Sequence, residues 1–467
     1  MIRTLLRPSN KVVVAMSGGV DSSVTAYLLQ QQHSKVVGLF MNNWNTQDED
    51  DNSTTCTQSE QDLRDVQAIC SQLGNIPLYQ TSFAAEYWTH VFEPFLQGIG
   101  PTQMPNPDML CNRHIKFGKM KDYCFQQLKD VQAVATGHYA RLWRRKKESW
   151  MESGITDTII PCQSELSQIK ALNIENCDMP YYVYQSLSNQ ELEWIHNWGD
   201  NQSPLLLAGE DSTKDQSYFL SMTPGSAFHN VLFPLGYLSK QSPPKQSIIS
   251  VRDIAKLANL ATAHKRDSTG ICFVGRRPRG FSNFVSQYLD LQAMENFVDV
   301  ETGKVVGSTS PSQLYTIGQG AKISGASSKW FVVDRKDNDI IVSQGTNHPS
   351  LYCTCLYVRE FSWTASTPPT PLLKLGHLRA KCRIRHLQPL VDCQVKIIGH
   401  EYSVVFDRPL RGVTKGQIIA LYLGVVCLGG GIISRRGPTL FEQGITNTQK
   451  LDLHPAGAND SSVFVPE

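Results

Sequence analysis

The sequence contains no long uninterrupted apolar run, although 41% of its 467 residues are hydrophobic. A helix that crosses a bilayer needs about 18 consecutive apolar residues, so the sequence predicts no membrane-spanning helix and no membrane partner. It also lacks a strong excess of one charge, because the formal net charge is +2. This small value argues against a protein that binds polyanions over its whole surface, but it leaves room for local basic patches that bind RNA.

A secretory apolar segment is absent too, so the twelve cysteines are expected to be mostly reduced thiols in an intracellular compartment. The first eleven residues include Arg3, Arg7 and Lys11 and no acidic residue. This composition predicts a short transit segment at residues 1–10 and a mitochondrial matrix location, although an ordinary N-terminus could have the same composition. Residues 436–467 are interpreted as a polar tail.

Strand-like and helix-like segments alternate from Lys11 to His138, and this alternation predicts an α/β fold with a parallel sheet. The predicted strands are Lys11–Ala15, Lys35–Met41, Ile76–Ser82 and Val131–Ala135. The predicted helices are Ser22–Gln32, Gln61–Leu73 and Ala84–Gln97. Ligands bind beyond the carboxyl ends of such strands, which places residues 17–23, 41–44 and 136–138 on one rim.

The stretch Ser17-Gly-Gly-Val-Asp-Ser-Ser23 follows the first predicted strand and opens the first helix. Gly18 and Gly19 allow a turn whose amides can point at an anion, and Asp21 and Ser22 then lie at a helix N-terminus, which favours phosphate. The loop lacks the lysine of a Walker motif. We therefore expect it to hold a pyrophosphate that leaves ATP as a unit.

This loop resembles that of the ATP pyrophosphatase (PP-loop) superfamily, whose members cleave ATP between the α and β phosphates and adenylylate a substrate oxygen. The resemblance implies ATP and Mg²⁺ as cofactors, with Asp21 as a residue that could organise the metal ion on the phosphates. The ATP-binding positions it implies are Ala15, Met16, Ser17, Gly18, Gly19, Val20, Asp21, Ser22, Met41 and Gly137.

Two cysteines stand in conspicuous settings, Cys111 after Asn106-Pro-Asp-Met-Leu110 and Cys272 after Asp267-Ser-Thr-Gly-Ile271. Both follow turn-forming stretches, so both are expected to be exposed and reactive. Nearby basic residues (Arg113, His114 and Lys116) would lower the pKa of a thiol and make it a better nucleophile. Without further context, simple packing in the core is the alternative.

The same motifs and several others resemble the tRNA 2-thiouridylases of bacteria and their mitochondrial counterparts, over about residues 11–433. The further matching segments are Phe83-Ala-Ala-Glu-Tyr-Trp88, Asn106-Pro-Asp108, Ala135-Thr-Gly-His-Tyr139, Lys214-Asp-Gln-Ser-Tyr-Phe219, Asp267-Ser-Thr-Gly-Ile-Cys-Phe273 and Cys427-Leu-Gly-Gly-Gly-Ile432.

The resemblance implies ATP-dependent 2-thiolation of the wobble uridine (U34) in tRNAs for Lys, Glu and Gln. The C2 oxygen would be adenylylated, and sulfur would then displace AMP. Cys272 would carry the sulfur as a persulfide received from a donor protein, and Cys111 would act as a nucleophile and form a disulfide with Cys272. Asp108 would be the general acid/base, with the conformation of a simple turn residue after Pro107 as the alternative. We expect a monomer.

Binding residues follow from the same resemblance. Asn106, Pro107 and Asp108 would receive the target base, which must leave the anticodon stack. The implied tRNA contacts are His138, Lys214, Asp215, Gln216, Arg385, His386 and Gln417. His138 could instead be an ordinary residue at a strand end. His386 stands where the family often has a tyrosine.

The remaining chain divides into further predicted parts. Residues 11–275 form the catalytic domain, with a polar surface insert at about 146–203, and residues 276–349 form a small central domain. Alternating short runs in residues 350–435 predict an antiparallel β-barrel that binds tRNA. Its basic residues recur at every second position and would share one face that suits an RNA backbone, with an ordinary solvated strand as the alternative. They are Arg379, Lys381, Arg383 and Arg385.

Other functional classes remain open at this point. A different PP-loop ligase that adenylylates a small molecule would need neither cysteine, and a non-catalytic tRNA-binding protein would not need the phosphate loop. An iron-sulfur cluster on Cys56, Cys111 and Cys272 would replace the persulfide route. The pair Cys353 and Cys355 lacks a second pair of ligands at zinc spacing.

Overall fold

The computed structural model describes most of the chain between Lys11 and Leu453. The described residues are 11–32, 35–44, 58–100, 103, 105–145, 181–200, 202–241, 249–267, 271–274, 284–289, 294–309, 315–336, 339–449 and 451–453. The predicted transit segment 1–10, the cluster candidate Cys56 and residues 146–180 of the predicted insert lie outside them.

The first sheet has five parallel strands in the order β3-β2-β1-β4-β7. They are β1 (Lys11–Met16), β2 (Lys35–Met41), β3 (Leu78–Thr81), β4 (Val131–Ala135) and β7 (Val231–Leu232). The valine-rich runs of the two central strands are almost fully buried, as expected for a parallel sheet covered on both faces. The α/β prediction is confirmed, and the short fifth strand was not anticipated.

Helices connect these strands. They are α1 (Val20–Gln31), α2 (Gln58–Gln72), α3 (Ala84–Tyr87), α4 (Glu93–Gly98), α5 (Pro107–Leu110), α6 (Lys121–Gln127), α7 (Tyr181–Ser186), α8 (Asn189–His196), α9 (Ser217–Leu220), α10 (Val251–Leu257) and α11 (Thr370–Leu375). Two π-helical segments, π1 (Trp88–Phe92) and π2 (Cys111–Met120), join α3 to α4 and α5 to α6. Short 3₁₀ turns cover Gly225–Phe228 and Pro349–Leu351. The π-helical geometry matters at the site described below.

Six antiparallel strands close into a barrel in the C-terminal part, in the order β13-β16-β15-β14-β17-β18 with β18 paired back to β13. They are β13 (Tyr352–Trp363), β14 (His377–Arg383), β15 (Val391–Ile398), β16 (Glu401–Arg411), β17 (Ile418–Leu423) and β18 (Val426–Arg436). Alternate side chains of these strands fill the interior, as closure requires. The predicted barrel is confirmed.

A hairpin from the N-terminal half extends this barrel sheet. Strands β5 (Ala140–Trp143) and β6 (Leu205–Ala208) pair with each other, and β6 pairs with β18 through Leu207 and Val426. Helices α7 and α8 follow the predicted insert, and their Val183 and Ile195 are fully buried in the barrel core. A surface excursion was therefore the wrong prediction for residues 181–203, because apolar side chains in a polar stretch anchor this part.

The third sheet lies between the other two along the chain, and its strand order is β10-β11-β12-β8-β9. Its strands are β8 (Glu295–Asp299), β9 (Val305–Thr309), β10 (Gly320–Ala321), β11 (Trp330–Lys336) and β12 (Asp339–Gln344). Its neighbours pair antiparallel except β12 with β8. None of the helices in the described part of the chain is long and apolar enough to cross a membrane.

Candidate active site

The phosphate-loop candidate lies at the carboxyl end of β1, where parallel strands present their ligand sites. Gly18 has φ +73°, and a Cβ atom there would come within 2.6 Å of the Asp62 carbonyl oxygen, so only glycine fits. The N-cap of α1 is Gly19, which has no side chain that could accept a hydrogen bond from the first amides of the helix. These amides and the helix dipole favour an anion in front of α1.

Hydroxyl groups fix the shape of this loop. The Ser17 amide donates to Ser22 Oγ at 3.2 Å, and Ser22 Oγ donates to the Gly19 carbonyl at 3.1 Å. Ser23 Oγ donates to the same carbonyl at 2.9 Å. Such bonds satisfy the side chains locally and leave the loop in one conformation.

The other predicted ATP-binding residues gather around this loop. Gly137 follows β4 and packs so closely on α1 that a Cβ atom would lie 3.0 Å from Asp21. The side chains of Met16 and Val20 are buried in the core, which leaves their main chain for the loop region. Ala15 and Met41 are partly buried and pack against the cluster that contains Cys111. The residues present therefore fit a nucleotide that is held mainly by backbone groups.

Asp21 already has strong partners in the structure. Lys240 Nζ lies 2.6 Å from its Oδ1 and 2.8 Å from its Oδ2, and the Tyr139 hydroxyl donates to Oδ1 at 2.8 Å. No cluster of three metal-ligating side chains occurs among the described residues. Asp21 therefore does not fit the role of a free Mg²⁺ ligand, and a metal ion on the phosphates would have to displace Lys240 from it.

The first cysteine lies on a long helix that starts at a well-formed cap. The Asn106 side chain accepts the Asp108 amide at 3.1 Å, and Pro107 occupies the first helical position, where its missing N–H costs nothing. Cys111 opens π2 and is fully buried in the core cluster beside the first sheet. The predicted exposure of Cys111 was wrong. Asn106 and Pro107, which the sequence pattern indicated as part of a turn, begin a helix that has one apolar face.

The structure brings both predicted cysteines together, and their thiols are hydrogen-bonded to each other. Cys272 is partly exposed and unlike Cys111 lies in a non-helical segment. Its amide donates to Asp108 Oδ1 at 3.0 Å, and its carbonyl accepts the Tyr87 hydroxyl at 2.7 Å. Asp108 thus holds the Cys272 backbone in place as well as standing beside the sulfur atoms.

Lys116 is the cation of this centre, and it hydrogen-bonds to the Cys272 sulfur. It follows Cys111 by five residues, and the i to i+5 hydrogen bonds of a π-helix place residues five apart on one side. In an ordinary α-helix the two side chains would diverge, because i, i+3 and i+4 are the neighbours there. The π-helical segment therefore brings a lysine to the thiol pair.

The two thiols differ in acidity. The hydrogen bond from Cys111 and the charge of Lys116 outweigh burial and lower the pKa of Cys272 to about 7. Burial, followed by the interaction with Cys272, raises the pKa of Cys111 well above its usual value. Cys272 is thus the thiolate and Cys111 its hydrogen-bond donor. Of the basic residues noted in the sequence, Lys116 lowers the pKa of both thiols, but burial outweighs its effect at Cys111.

Two further groups at the centre have shifted pKa values. Burial raises the pKa of Asp108, although the Cys272 amide and Lys116 oppose this shift. Burial disfavours the charge of Lys116, but the two cysteines and Asp108 outweigh that cost and raise its pKa. A raised pKa makes the Asp108 carboxylate a stronger base and brings it closer to the range in which a general acid/base works.

The predicted tRNA contacts fall into two groups. His138 packs between Phe117 and Phe233, and burial lowers its pKa well below the usual value, so it is neutral. Lys214 and Gln216 are partly exposed, with Lys214 paired to Asp267 at 3.0 Å and Gln216 accepting the Tyr139 amide at 3.0 Å.

The second group lies in the barrel part of the chain and contacts the segment that follows β6. His386 Nε2 contacts the Asp215 carbonyl at 2.9 Å, and its ring lies 4.4 Å from Phe219. Arg385 donates to the Gly412 carbonyl at 2.9 Å, and Gln417 is buried.

One residue predicted to contact tRNA, Asp215, has a buried side chain. The Asp215 side chain is only 3% exposed, accepts the Gly209 and Ser217 amides, and pairs with Arg383 at 3.3 Å. Its carboxylate is an internal anchor that RNA cannot reach in this conformation. The resemblance implied it as a tRNA contact together with its neighbours Lys214 and Gln216, which are partly exposed.

The basic stripe of the barrel is largely neutralised. Arg379 forms two hydrogen bonds with Asp407, Lys381 pairs with Asp392 at 2.9 Å, and Arg383 pairs with buried Asp215. Strand β14 ends at Arg383, so Arg385 lies beyond the strand. The stripe therefore carries less unpaired positive charge than the spacing of the basic residues indicated, because the neighbouring strands supply acids.

Sequence reasoning missed three residues of the site. Lys116 was noted only as a basic neighbour, and neither Tyr87 nor Lys240 was assigned a role. Tyr87 lies in a segment that was noted for its resemblance, which was a usable signal. Lys240 is 219 positions from its partner Asp21, and nothing local in the sequence marks that pairing.

Three family models match the chain. Residues 10–181 and 182–276 match the tRNA methyl transferase HUP domain, residues 282–344 match the tRNA methyl transferase PRC-barrel domain, and residues 353–433 match the aminomethyltransferase beta-barrel domain. The matched ranges follow the three sheets described above, apart from the β5–β6 hairpin.

Curated relatives match over most of their length. The tRNA-specific 2-thiouridylase MnmA of Psychrobacter arcticus is 38% identical over 439 residues, covering 91% of this chain and 91% of that protein. The MnmA proteins of Pseudomonas paraeruginosa and Protochlamydia amoebophila are 39% and 36% identical, and 91% and 94% of this chain is covered. The matches cover 94% and 97% of these two relatives.

Proposed function

Because this chain belongs to the tRNA-specific 2-thiouridylase family, we propose that it is a tRNA-uridine 2-sulfurtransferase that uses ATP to replace the C2 oxygen of a uridine by sulfur. The observation that carries the proposal is the thiol pair of Cys111 and Cys272 with Lys116. It lies in the same α/β unit as a phosphate loop that lacks a Walker lysine. An ordinary phosphate-binding protein has no use for such a pair.

Activation of the base is the first step. The C2 oxygen of uracil is a poor leaving group and must first be activated. It attacks the α phosphate of ATP, pyrophosphate departs, and an O-adenylyl intermediate forms. The amides in front of α1 and the loop of Ser17 to Ser22 would hold that pyrophosphate. ATP binds here as a substrate. Mg²⁺ would neutralise the phosphates, and phosphate oxygens rather than Asp21 would supply its ligands.

Sulfur transfer is the second step. The Cys272 thiolate attacks the sulfane sulfur of a donor protein's persulfide, which leaves Cys272 as a persulfide and the donor as a thiolate. The terminal sulfur then attacks C2 and AMP leaves, while Cys111 attacks the inner sulfur and a Cys111–Cys272 disulfide forms. In the second route, Cys111 first releases hydrosulfide, which attacks C2. Asp108 would move the protons of either route.

The substrate is proposed to be U34 of tRNAs for Lys, Glu and Gln, with a persulfide donor protein as the sulfur source and a monomeric enzyme. Asn106, Pro107 and Asp108 would receive the flipped base, since they cap the helix that carries Cys111. Lys214, Gln216, Arg385 and His386 would contact the tRNA near the junction of the first sheet and the barrel.

Methyl transfer, which two of the matched domain descriptions name, is the second candidate. It would add a group to a nucleophilic atom and would need neither adenylylation nor a pair of thiols. The hydrogen-bonded cysteines beside Lys116 favour sulfur transfer. A PP-loop ligase that adenylylates a small molecule is disfavoured for the same reason.

The test is anaerobic incubation of purified protein with ATP, magnesium, a persulfide donor and unmodified tRNA for Lys, followed by mass spectrometry of the nucleosides. Wild type should form 2-thiouridine, and the Cys111→Ser and Cys272→Ser variants should not. Cys124→Ser and Cys355→Ser are matched controls, since Cys124 is buried on the same helix run and Cys355 is partly exposed. Splitting of ATP without 2-thiouridine in the wild type would overturn the tRNA assignment, and iron in the purified protein would favour a cluster.

We also propose a mitochondrial matrix location, supported by the basic, acid-free composition of the first eleven residues. A fluorescent fusion to the full chain should enter mitochondria, and one with Arg3 and Arg7 replaced by Glu should not. Equal distribution of the two fusions would contradict the proposal.

A further inference from the structure

A buried lysine stands between two carboxylates at the edge of the phosphate loop. The Lys240 side chain is 3% exposed, and its Nζ atom lies 2.6 Å from Asp21 and 3.1 Å from Asp267. A lysine is buried to this degree only where carboxylates pair with it. Lys240 has no role in the proposed binding of pyrophosphate or in the proposed thiol chemistry.

The two carboxylates belong to different functional elements. Asp21 lies in the first turn of α1, directly after the phosphate loop. Asp267 stands five residues before Cys272 in the chain and is also bound by Lys214 at 3.0 Å and Arg252 at 2.7 Å. Lys240 therefore joins the nucleotide side of the site to the segment that carries the reactive thiol.

That segment is held at both ends. Lys240, Lys214 and Arg252 fix Asp267 at its start, and Asp108 and Tyr87 fix the backbone of Cys272. Any change in how Lys240 shares its charge between Asp21 and Asp267 acts on the first of these anchors. The second anchor lies against the thiol itself.

A bound nucleotide would change that sharing. The phosphates would bring several negative charges in front of α1, and a metal ion on them would compete for Asp21. Lys240 has three N–H donors, and two of its contacts now go to Asp21. Either event would alter how Lys240 shares its positive charge between Asp21 and Asp267.

We propose that Lys240 is a positioning residue that couples nucleotide binding at the phosphate loop to the reactivity of Cys272. The proposal rests on the proposed function only in taking ATP as the nucleotide. Its effect is that the thiol reaches its working position when ATP is bound, so that hydrosulfide is not lost to solvent before the base is activated.

The test measures alkylation of Cys272 by iodoacetamide, by mass spectrometry, on the full chain without tRNA or sulfur donor. A non-hydrolysable ATP analogue should change the wild-type rate about fivefold or more, which is the low end of coupling between two sites. In Lys240→Met the rate should no longer respond, although calorimetry still detects binding of the analogue. Lys240→Arg, which keeps the charge, should restore most of the response.

Two further variants keep the result interpretable. Lys265 also bridges two carboxylates, Asp62 and Asp65, beside the phosphate loop but does not contact Asp267, so Lys265→Met should respond like the wild type. Asp267→Asn cuts the second contact and leaves Asp21 with Lys240, so it should lose the response even if Lys240→Met fails to fold.

The proposal is overturned if the analogue does not change the wild-type rate, or if Asp267→Asn and Lys240→Met respond as the wild type does. These outcomes are independent of the thiolation assay, in which failure would instead concern the proposed function.

Discussion

Two hydrogen-bonded pairs of cysteine thiols lie in different parts of the described chain, and they differ in what surrounds them. Cys111 and Cys272 meet beside the first sheet, and Cys382 and Cys393 meet inside the barrel on neighbouring strands β14 and β15. Burial and the neighbouring thiol raise the pKa of Cys382 well above its usual value, and Asp392 adds to this. Around Cys272 the balance is reversed, and its pKa falls to about 7.

One difference between the surroundings of the two pairs is a cation. Lys116 reaches the first pair, whereas the barrel pair is packed among apolar side chains such as Leu378, Val395 and Val404. At Cys272 the hydrogen bond from Cys111 and the charge of Lys116 act together to lower the pKa. A thiol becomes a nucleophile where a buried positive charge stabilises its thiolate, which is the general condition for reactive cysteines.

The largest effect is expected from Asp108→Asn, which tests proton transfer separately from the reactivity of the Cys272 thiol. Asp108→Asn should lower the rate of tRNA thiolation by about 100-fold or more, the usual contribution of a general acid/base. Alkylation of Cys272 should be unchanged or faster, because Asp108 raises the pKa of Cys272 and its charge is lost. Single-turnover thiolation and alkylation rates measure the two effects. A parallel loss of both would mean that Asp108 only supports the fold.

Removal of the cation tests the comparison directly. In Lys116→Met the pKa of Cys272 should rise above about 7, because the charge of Lys116 lowers it in addition to the hydrogen bond from Cys111, so the thiolate fraction at pH 7 should fall below about half. Alkylation at pH 7 measures this loss. Lys119→Met, an exposed lysine on the same π-helical segment, is the control and should alkylate normally. If Lys116→Met behaves as the control, the cation does not explain the difference between the pairs.

The pH dependence of the two pairs should differ in the intact wild-type protein. The pKa of Cys272 is lowered, so its thiolate is present above about pH 7 and is lost as the pH falls through 7. Its alkylation should rise about tenfold between pH 6 and 8. Cys382, with a raised pKa, should stay unreactive over that range. Peptide mass spectrometry resolves both sites, and equal profiles would remove the comparison.

The smallest effect is expected from the barrel pair. Cys382→Ala should leave thiolation unchanged and lower the free energy of unfolding by about 1 kcal/mol, because it removes one buried sulfur atom from a packed core. Chemical denaturation and the thiolation assay measure the two quantities. A loss of activity without a loss of stability would give the barrel cysteines a chemical role.

The sequence predicted elements whose cause is local. Strands β2 and β4 have the predicted bounds, because short apolar runs between turn residues define them. Gly18 marked the phosphate loop for an equally local reason, since its positive φ excludes other residues. Patterns of this kind need no partner elsewhere in the chain.

The features it did not predict depend on distant partners. The acids that neutralise Arg379 and Lys381 come from β16 and β15, and the pairing of Lys240 with Asp21 spans most of one domain. The placement of Lys116 beside Cys111 needs a π-helical turn, and helical periodicity assumes an α-helix. The burial of Cys111 was not predicted, because the helix cap at Asn106 has the same residue types as a turn.

The pairing of β6 with β18 also sets an order of events during synthesis. Leu207 must wait for Val426, and at roughly 5–20 residues per second this takes on the order of ten to forty seconds. Until then the hairpin of β5 and β6 has an unpaired edge and apolar faces that await the barrel. A ribosome-bound chain that already has its phosphate loop, Cys111 and Cys272 is therefore still unfinished, and we expect it to depend on chaperones until its last strand emerges.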